Sequence, residues 1–184
     1  MKLIETKNYD ELSCVAADML ISEIKAKPDC VLGLATGSTP IGTYDKLIGA
    51  YKAKEVSFAK VKSINLDEYV GISWSNTESY RYFMNEHLFD HVDIDKTNTH
   101  VPNGLAGDLD EECARYDALY DRIGPVDIQV LGIGLNGHIG FNEPGTTLSA
   151  PTHIVKLSNS TRQATSRNFT SLDAVPYKAI TLGM

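Results

Sequence analysis

The stretch CVLGLATGSTP, residues 30–40, decides the fold class. Its first six residues are short, apolar and almost unalternating, the pattern of a parallel strand covered on both faces. Thr36 to Thr39 break that strand with small and hydroxylated residues. Pro40 then stands where the first turn of a helix tolerates it, because the missing N–H would have had no helical partner there. Ile41, Tyr44, Leu47, Ile48 and Tyr51 follow at helical spacing and give the helix one apolar face, with Ser38 and Thr39 as its caps. The unit is a strand, a tight turn and a helix.

Working outward, the same alternation repeats. Upstream, Asn8 and Glu11 form a capping box, after which Leu12, Val15, Ala16, Met19, Leu20 and Ile24 recur on one helical face until Pro28. Downstream, the sequence predicts a strand over 61–66 and a helix opened by Ser75 and Glu78 that runs to about Asp90. A further helix, opened by Asp108 and Glu111, steps through Leu109, Cys113, Tyr116, Tyr120 and Ile123. Strands are expected over 126–133, 152–157 and 178–182. This order reads as one α/β domain over 1–184 with a largely parallel sheet. The segment KAITLGM at 178–184 looks like a strand reaching the sheet where a loop and a returning helix would follow, so a C-terminal part of the domain is expected to be missing.

The composition narrows the function classes. Lys and Arg number 17 against 24 Asp and Glu, a formal net charge of −7, and 42% of the 184 residues are hydrophobic. An acidic chain with no basic patch argues against nucleic acid as a partner. The start, MKLIETKNYDE, has no apolar signal region, and the apolar runs are strand-sized, which argues against a membrane partner. Cys14, Cys30 and Cys113 are odd in number and scattered, which suits reduced thiols in the cytoplasm.

Three predicted strand ends carry the chemistry. ATGSTP at 35–40 lets backbone approach an anion and offers first-turn N–H groups with the hydroxyls of Ser38 and Thr39; an ordinary capped turn would use the same residues. NLDEYVG at 65–71 ends a strand in two adjacent carboxylates. Neighbours on extended backbone point to opposite faces, so Asp67 and Glu68 are expected to do different work, one of them facing the crevice at the strand ends unless both simply sit on a solvated turn. GIGLNGHIGFNEP at 132–144 satisfies GxGxxG through Gly132, Gly134 and Gly137. A dinucleotide site would need a helix opening on those glycines and an acid about twenty residues on; Gly140 and Pro144 interrupt the one, and 152–157 lacks the other. What remains is His138, five residues before Glu143, suited either to proton exchange near neutral pH or to a structural role. His87 and His91 share helical spacing without the acid of an HExxH motif, and His100 and His153 have no neighbouring ligands, so no metal is expected.

Taken together, ATGSTP at 35–40, NLDEYVG at 65–71, GIGLNGHIGFNEPG at 132–145 and SNSTRQATSRNF at 158–169 resemble the glucosamine-6-phosphate deaminases along the whole chain. The resemblance implies a modified Rossmann-like, open and mainly parallel sheet with helices on both faces, shared with sugar-phosphate isomerases and 6-phosphogluconolactonases. It implies conversion of glucosamine 6-phosphate and water to fructose 6-phosphate and ammonia, with a small sugar phosphate as partner and no redox cofactor. By the same resemblance Asp67 is the base that moves the C2 proton toward C1, and His138 opens the pyranose at O5. Asn136 stands where some members have Asp, and Glu143 supports the histidine. Gly37, Ser38 and Thr39 match the phosphate loop, and Arg167 matches a phosphate-closing residue on a lid at 158–170, where Arg162 reads as a solvated neighbour. Family members continue for some fifty residues past Met184, including a phosphate-holding lysine. The activator site of larger members is matched imperfectly by HIVK at 153–156, which points to an unregulated short form. A 6-phosphogluconolactonase and a non-catalytic sugar-phosphate sensor are the alternatives.

Overall fold

The computed structural model describes residues 2–134, 136–147, 150–166 and 169–183. In chain order the main elements are α1 (Tyr9–Ala26), β1 (Val31–Leu34), α2 (Ile41–Lys52), β2 (Lys62–Asn65), β3 (Asp67–Tyr69), α3 (Tyr80–His87), β4 (Thr99–His100), α4 (Leu109–Ile123), β5 (Ile128–Gln129), β6 (His153–Lys156), α5 (Asn159–Thr165) and β7 (Lys178–Thr181).

Four strands form a parallel sheet in the order β4-β2-β1-β5. All four residues of β1 are buried, as an apolar strand without alternation requires. Leu32 and Leu34 face a core shared with Leu20 and Ile24 of α1, Tyr44 and Leu47 of α2, and Met84 of α3. Val31 faces the other way and joins Ile64 of β2 with Tyr116 and Leu119 of α4. Each such side chain contributes roughly 1.5–3 kcal/mol when fully buried. Helices therefore cover both faces of the sheet.

The chain runs outward from β1 through β2 to β4 and then returns to place β5 on the other side of β1. That reversal opens a crevice at the carboxyl ends of β1 and β5, the usual ligand position in open α/β sheets. All three sequence motifs leave the sheet at this edge. Strands β3, β7 and β6 form a second, antiparallel sheet beside it, in that order. So β6 and β7, expected from the sequence as strands, extend this small sheet and not the parallel one.

Local differences from the sequence reading have tertiary causes. Strand β5 is shorter than 126–133: after Val130 donates its N–H to Gly33 the segment leaves the sheet, and Leu131 and Ile133 are exposed. Asn8 and Asp108 cap α1 and α4 as expected. Ser75 and Glu78 do not open α3. That helix begins at Tyr80 with Ser79 as its cap, because the buried carboxylate of Glu68 accepts the N–H groups of Tyr80 and Arg81 at 2.9 and 3.0 Å. Glu68 also accepts its neighbour Tyr69 N–H at 2.9 Å. Ser38 and Thr39 do not cap α2 through their side chains. The Tyr9 hydroxyl does so instead, accepting Gly42 N–H at 2.9 Å while reaching the carbonyl of Thr39 at the same distance.

Replacing Glu68 removes the acceptor of three backbone N–H groups at once. Glu68→Ala is expected to lower unfolding stability by about 3 kcal/mol or more, since buried donors left without partners cost about 1–3 kcal/mol each. A urea melt with circular dichroism measures it; a loss below about 1 kcal/mol contradicts the anchoring role.

Candidate active site

The site is assembled by β7. Asp67 of β3 lies opposite Thr181 of β7 in the antiparallel register. The Thr181 hydroxyl oxygen accepts the N–H of Phe141 at 3.3 Å and so holds the loop after His138 against the same strand. Gly140, at φ +57°, passes so close that a Cβ there would lie 3.1 Å from Asp67 Oδ2 and 3.2 Å from Thr181 Oγ1. Tyr69, Tyr80 and Phe141 pack below this junction with ring centroids 4.8–5.9 Å apart.

The two adjacent carboxylates differ in their partners. Burial pushes Glu68 up to about 7, opposed by the N–H groups of Tyr80, Arg81 and Tyr69 and by the Arg81 charge. Asp67 has no side-chain hydrogen bond among the described residues. Burial first, and the Glu68 charge second, push it up to about 8. Glu68 is thus an anchor and Asp67 an unengaged carboxylate poised near neutrality.

In the glycine-rich loop, Asn136 Nδ2 donates to Glu143 Oε2 at 2.5 Å, and His138 Nδ1 lies 2.6 Å from Asn136 Oδ1. A carboxylate can only accept, so it turns the NH₂ of Asn136 toward itself and the amide oxygen toward the imidazole. Nδ1 therefore carries the proton, and Nε2 of the neutral ring is left as an acceptor with no partner among the described residues. Glu143 Oε1 accepts the hydroxyls of Thr161 at 2.9 Å and Ser158 at 3.3 Å. Burial raises the Glu143 carboxyl, but bonds from Thr161, Asn136 and Ser158 and the charge of His138 outweigh it and hold the group below its ordinary value.

The third motif forms an exposed turn at Gly37, Ser38 and Thr39, with Gly37 at φ +103°. None of their three N–H groups has an acceptor among the described residues. Asp67, Asn136, His138, Glu143 and this turn all lie at the carboxyl-end edge of the parallel sheet. Arg167 lies outside the described residues. Arg162 is not solvated: it is buried, donates to the carbonyls of Leu172 and Val175 at 2.8 and 3.1 Å, and stacks 3.8 Å over Tyr177. It braces the segment that follows α5.

Tyr9, Thr161 and Thr181 were not legible as site residues, since each acts on a motif far from it in sequence. Ser158 alone had a local signal, as the hydroxyl residue preceding α5. Among the described residues, no three His, Cys, Asp or Glu side chains converge as metal ligands. His91 Nε2 lies 2.7 Å from the Glu86 carbonyl, and His153 Nδ1 lies 2.8 Å from that of Pro151.

Comparison with known proteins gives the family. Residues 7–173 match the family model described as glucosamine-6-phosphate isomerases/6-phosphogluconolactonase, and the chain belongs to that family. A glucosamine-6-phosphate deaminase from Clostridium perfringens (strain SM101 / Type A) is 58% identical over all of this chain and 76% of its own length. The solved structure of a monomeric glucosamine-6-phosphate deaminase superposes with a TM-score of 0.98 at 51% identity, covering 100% of this chain and 76% of that one. A 6-phosphogluconolactonase from Thermotoga maritima shares the fold, with a TM-score of 0.72 at 19% identity, covering 99% of this chain and 76% of that one.

Two outcomes are expected. A Cβ at Gly134 would lie 2.1–2.4 Å from three atoms of the His138 ring, so Gly134→Ala must displace the imidazole. Activity should fall about a hundredfold or more, the scale of a misplaced acid–base group, while the fold persists by circular dichroism; unchanged turnover contradicts the packing. Asp67→Asn should stabilise the protein. The folded-state carboxyl is raised to about 8, so the cost of ionising it is absent below about pH 4, grows as pH rises, and is complete above about pH 8. The variant's gain in urea midpoint over the parent should therefore increase from pH 5 to pH 8, and a constant difference would contradict the burial of an unpartnered carboxyl.

Proposed function

We propose that the chain converts glucosamine 6-phosphate and water to fructose 6-phosphate and ammonia, an aldose–ketose isomerisation coupled to deamination. The observation that carries this reading is the His138–Asn136–Glu143 chain, which fixes the imidazole tautomer and leaves Nε2 as a proton acceptor. High identity to deaminases over the whole chain supports the same activity.

The phosphate is held at Gly37, Ser38 and Thr39, where unengaged N–H groups suit an anion, with Arg167 added by family resemblance and the segment 158–170 as lid. Clamping the phosphate fixes the reacting carbons relative to the two proton-transfer groups. His138 Nε2 takes the proton of the anomeric hydroxyl and returns one to O5, so the C1 aldehyde forms as the C1–O5 bond breaks. Asp67, ionised, removes the C2 proton while the aldehyde oxygen takes a proton from the substrate's own C2 ammonium to give an enol amine, and Asp67 then returns the proton it holds to C1, leaving a protonated imine at C2. The resulting C2 imine adds water and releases ammonia, leaving the ketone. Asn136 stabilises imidazolium through its amide dipole, while Glu143 supplies the nearest charge.

No helix among the described residues is long and apolar enough to cross a membrane. Three free thiols, Cys30 and Cys113 buried and Cys14 partly so, support a cytoplasmic location.

Ammonia release and lactone hydrolysis measured side by side test the activity; lactonase turnover without ammonia overturns it. Asp67→Asn should lower C2 hydrogen exchange by at least about a hundredfold, the usual scale of a general base. In the parent, kcat/KM should rise with pH along an acid limb lying near neutrality and well above the ordinary carboxylate range, because the base must first ionise. Normal exchange by the variant contradicts the role of Asp67.

A further inference from the structure

The hydrogen-bond chain behind His138 does not stop at Glu143. One carboxylate oxygen of Glu143 takes the Asn136 amide, and the other takes the Thr161 hydroxyl at 2.9 Å. Thr161 is buried in the first turn of α5, eighteen residues further along the chain. Because a carboxylate only accepts, the hydroxyl proton of Thr161 is committed to Glu143. The same residue's backbone N–H is held by the Ser158 cap at 3.1 Å, so the hydroxyl is fixed to the helix start and has no freedom to follow Glu143 elsewhere. The Ser158 hydroxyl reaches Glu143 only at 3.3 Å and is also shared with Ser160 and Thr161, at 2.9 and 2.8 Å.

We propose that Thr161 is a positioning residue for ring opening: its hydroxyl holds the rotamer of Glu143 and thereby, through Asn136, the tautomer of His138. This rests on the reading of His138 as the ring-opening group. Without the Thr161 donor, Oε1 keeps one long, shared bond, and the carboxyl can rotate or take a proton. A rotated or protonated carboxyl no longer dictates which end of the Asn136 amide faces it. A flipped amide offers N–H to His138 Nδ1, which forces the opposite tautomer and places the ring proton on Nε2. That nitrogen then cannot accept the proton of the anomeric hydroxyl. The order of α5 is in this way coupled to the acid–base competence of a ring that it does not touch.

The test uses two substrates: glucosamine 6-phosphate, and its 5-deoxy analogue, which lacks O5 and cannot close to a pyranose. Turnover is read as ammonia with the first and as C2 hydrogen exchange with both. Thr161→Val keeps the side-chain shape and removes the donor. It is expected to lower kcat on the cyclic substrate about ten- to hundredfold, the worth of one hydrogen bond to a charged group, with KM changed less than about threefold. C2 exchange on the 5-deoxy analogue should change less than about threefold, and Thr161→Ser should restore the cyclic activity. In a double-mutant cycle, adding Thr161→Val to Glu143→Gln should cost nothing further, as expected when one residue acts through the other. Thr161→Ala, checked by circular dichroism, carries the same comparison should the valine variant not fold.

Full cyclic activity of the valine variant overturns the proposal. So does equal loss on both substrates, which would mark a purely structural role in α5. His138→Gln is the control for the underlying reading: if it impairs the 5-deoxy analogue as much as the cyclic sugar, the ring-opening assignment itself fails, independently of Thr161.

Discussion

Two carboxylates leave water side by side in β3, and most of the surrounding structure follows from how that burial is offset. Ionised groups are costly in a low-dielectric interior unless hydrogen bonds or opposite charge replace the lost solvent. Glu68 receives three backbone N–H groups, two of them from the start of α3, so its burial fixes where that helix begins. Asp67 points to the other face of the same strand and receives no such compensation among the described residues. The asymmetry comes from the two-residue period of β3. It separates an anchored carboxylate from an unengaged one by a single peptide unit.

The second constraint is directional. In a parallel sheet every strand delivers its carboxyl end to the same edge, so the loops after β1, β2 and β5 converge although they are far apart in sequence. Strand β7 completes the convergence by pairing with β3 and holding the loop after His138 through Thr181. The imidazole is then set by a relay whose orientation follows from donor and acceptor logic alone. A carboxylate at one end leaves a single consistent arrangement of the amide and the ring.

Legibility in the sequence followed the range of the interactions. The apolar run at 30–35, the caps Asn8 and Asp108 and the helical spacings in α2 and α4 are local, and they agree with the structure; in α1 the buried face is Ser13, Ala17, Leu20 and Ile24, so that Leu12 and Met19, expected on the apolar face, are exposed. The opposed roles of Asp67 and Glu68 were also visible, because strand alternation is local. The start of α3 is not set locally: Ser75 and Glu78 have the right spacing for a capping box, but the acceptor that sets the helix comes from a strand twelve residues upstream of Tyr80. Arg162 has the local pattern of a surface cation, but the carbonyls of Leu172 and Val175 and the Tyr177 ring, which surround it, come from further along the chain. The antiparallel grouping of β6 and β7 with β3 was equally hidden, since hydrophobic pattern gives the existence of a strand without its partner.

The Tyr9 hydroxyl, clasped to the turn at Ser38 to Gly42, gives the two halves of the site different assembly costs. That contact closes a chain segment of about thirty residues, whereas the Asp67–Thr181 pairing closes one of more than a hundred. Loop-closure entropy grows as about (3/2)RT ln n, so the longer closure costs on the order of 1 kcal/mol more before any packing repays it. The turn at Ser38 to Gly42 is thus closed by contacts of low sequence separation. The junction of Asp67 with the loop after His138 must wait for the last strand described, so the turn at one strand end can form well before the hydrogen-bonded junction beside it.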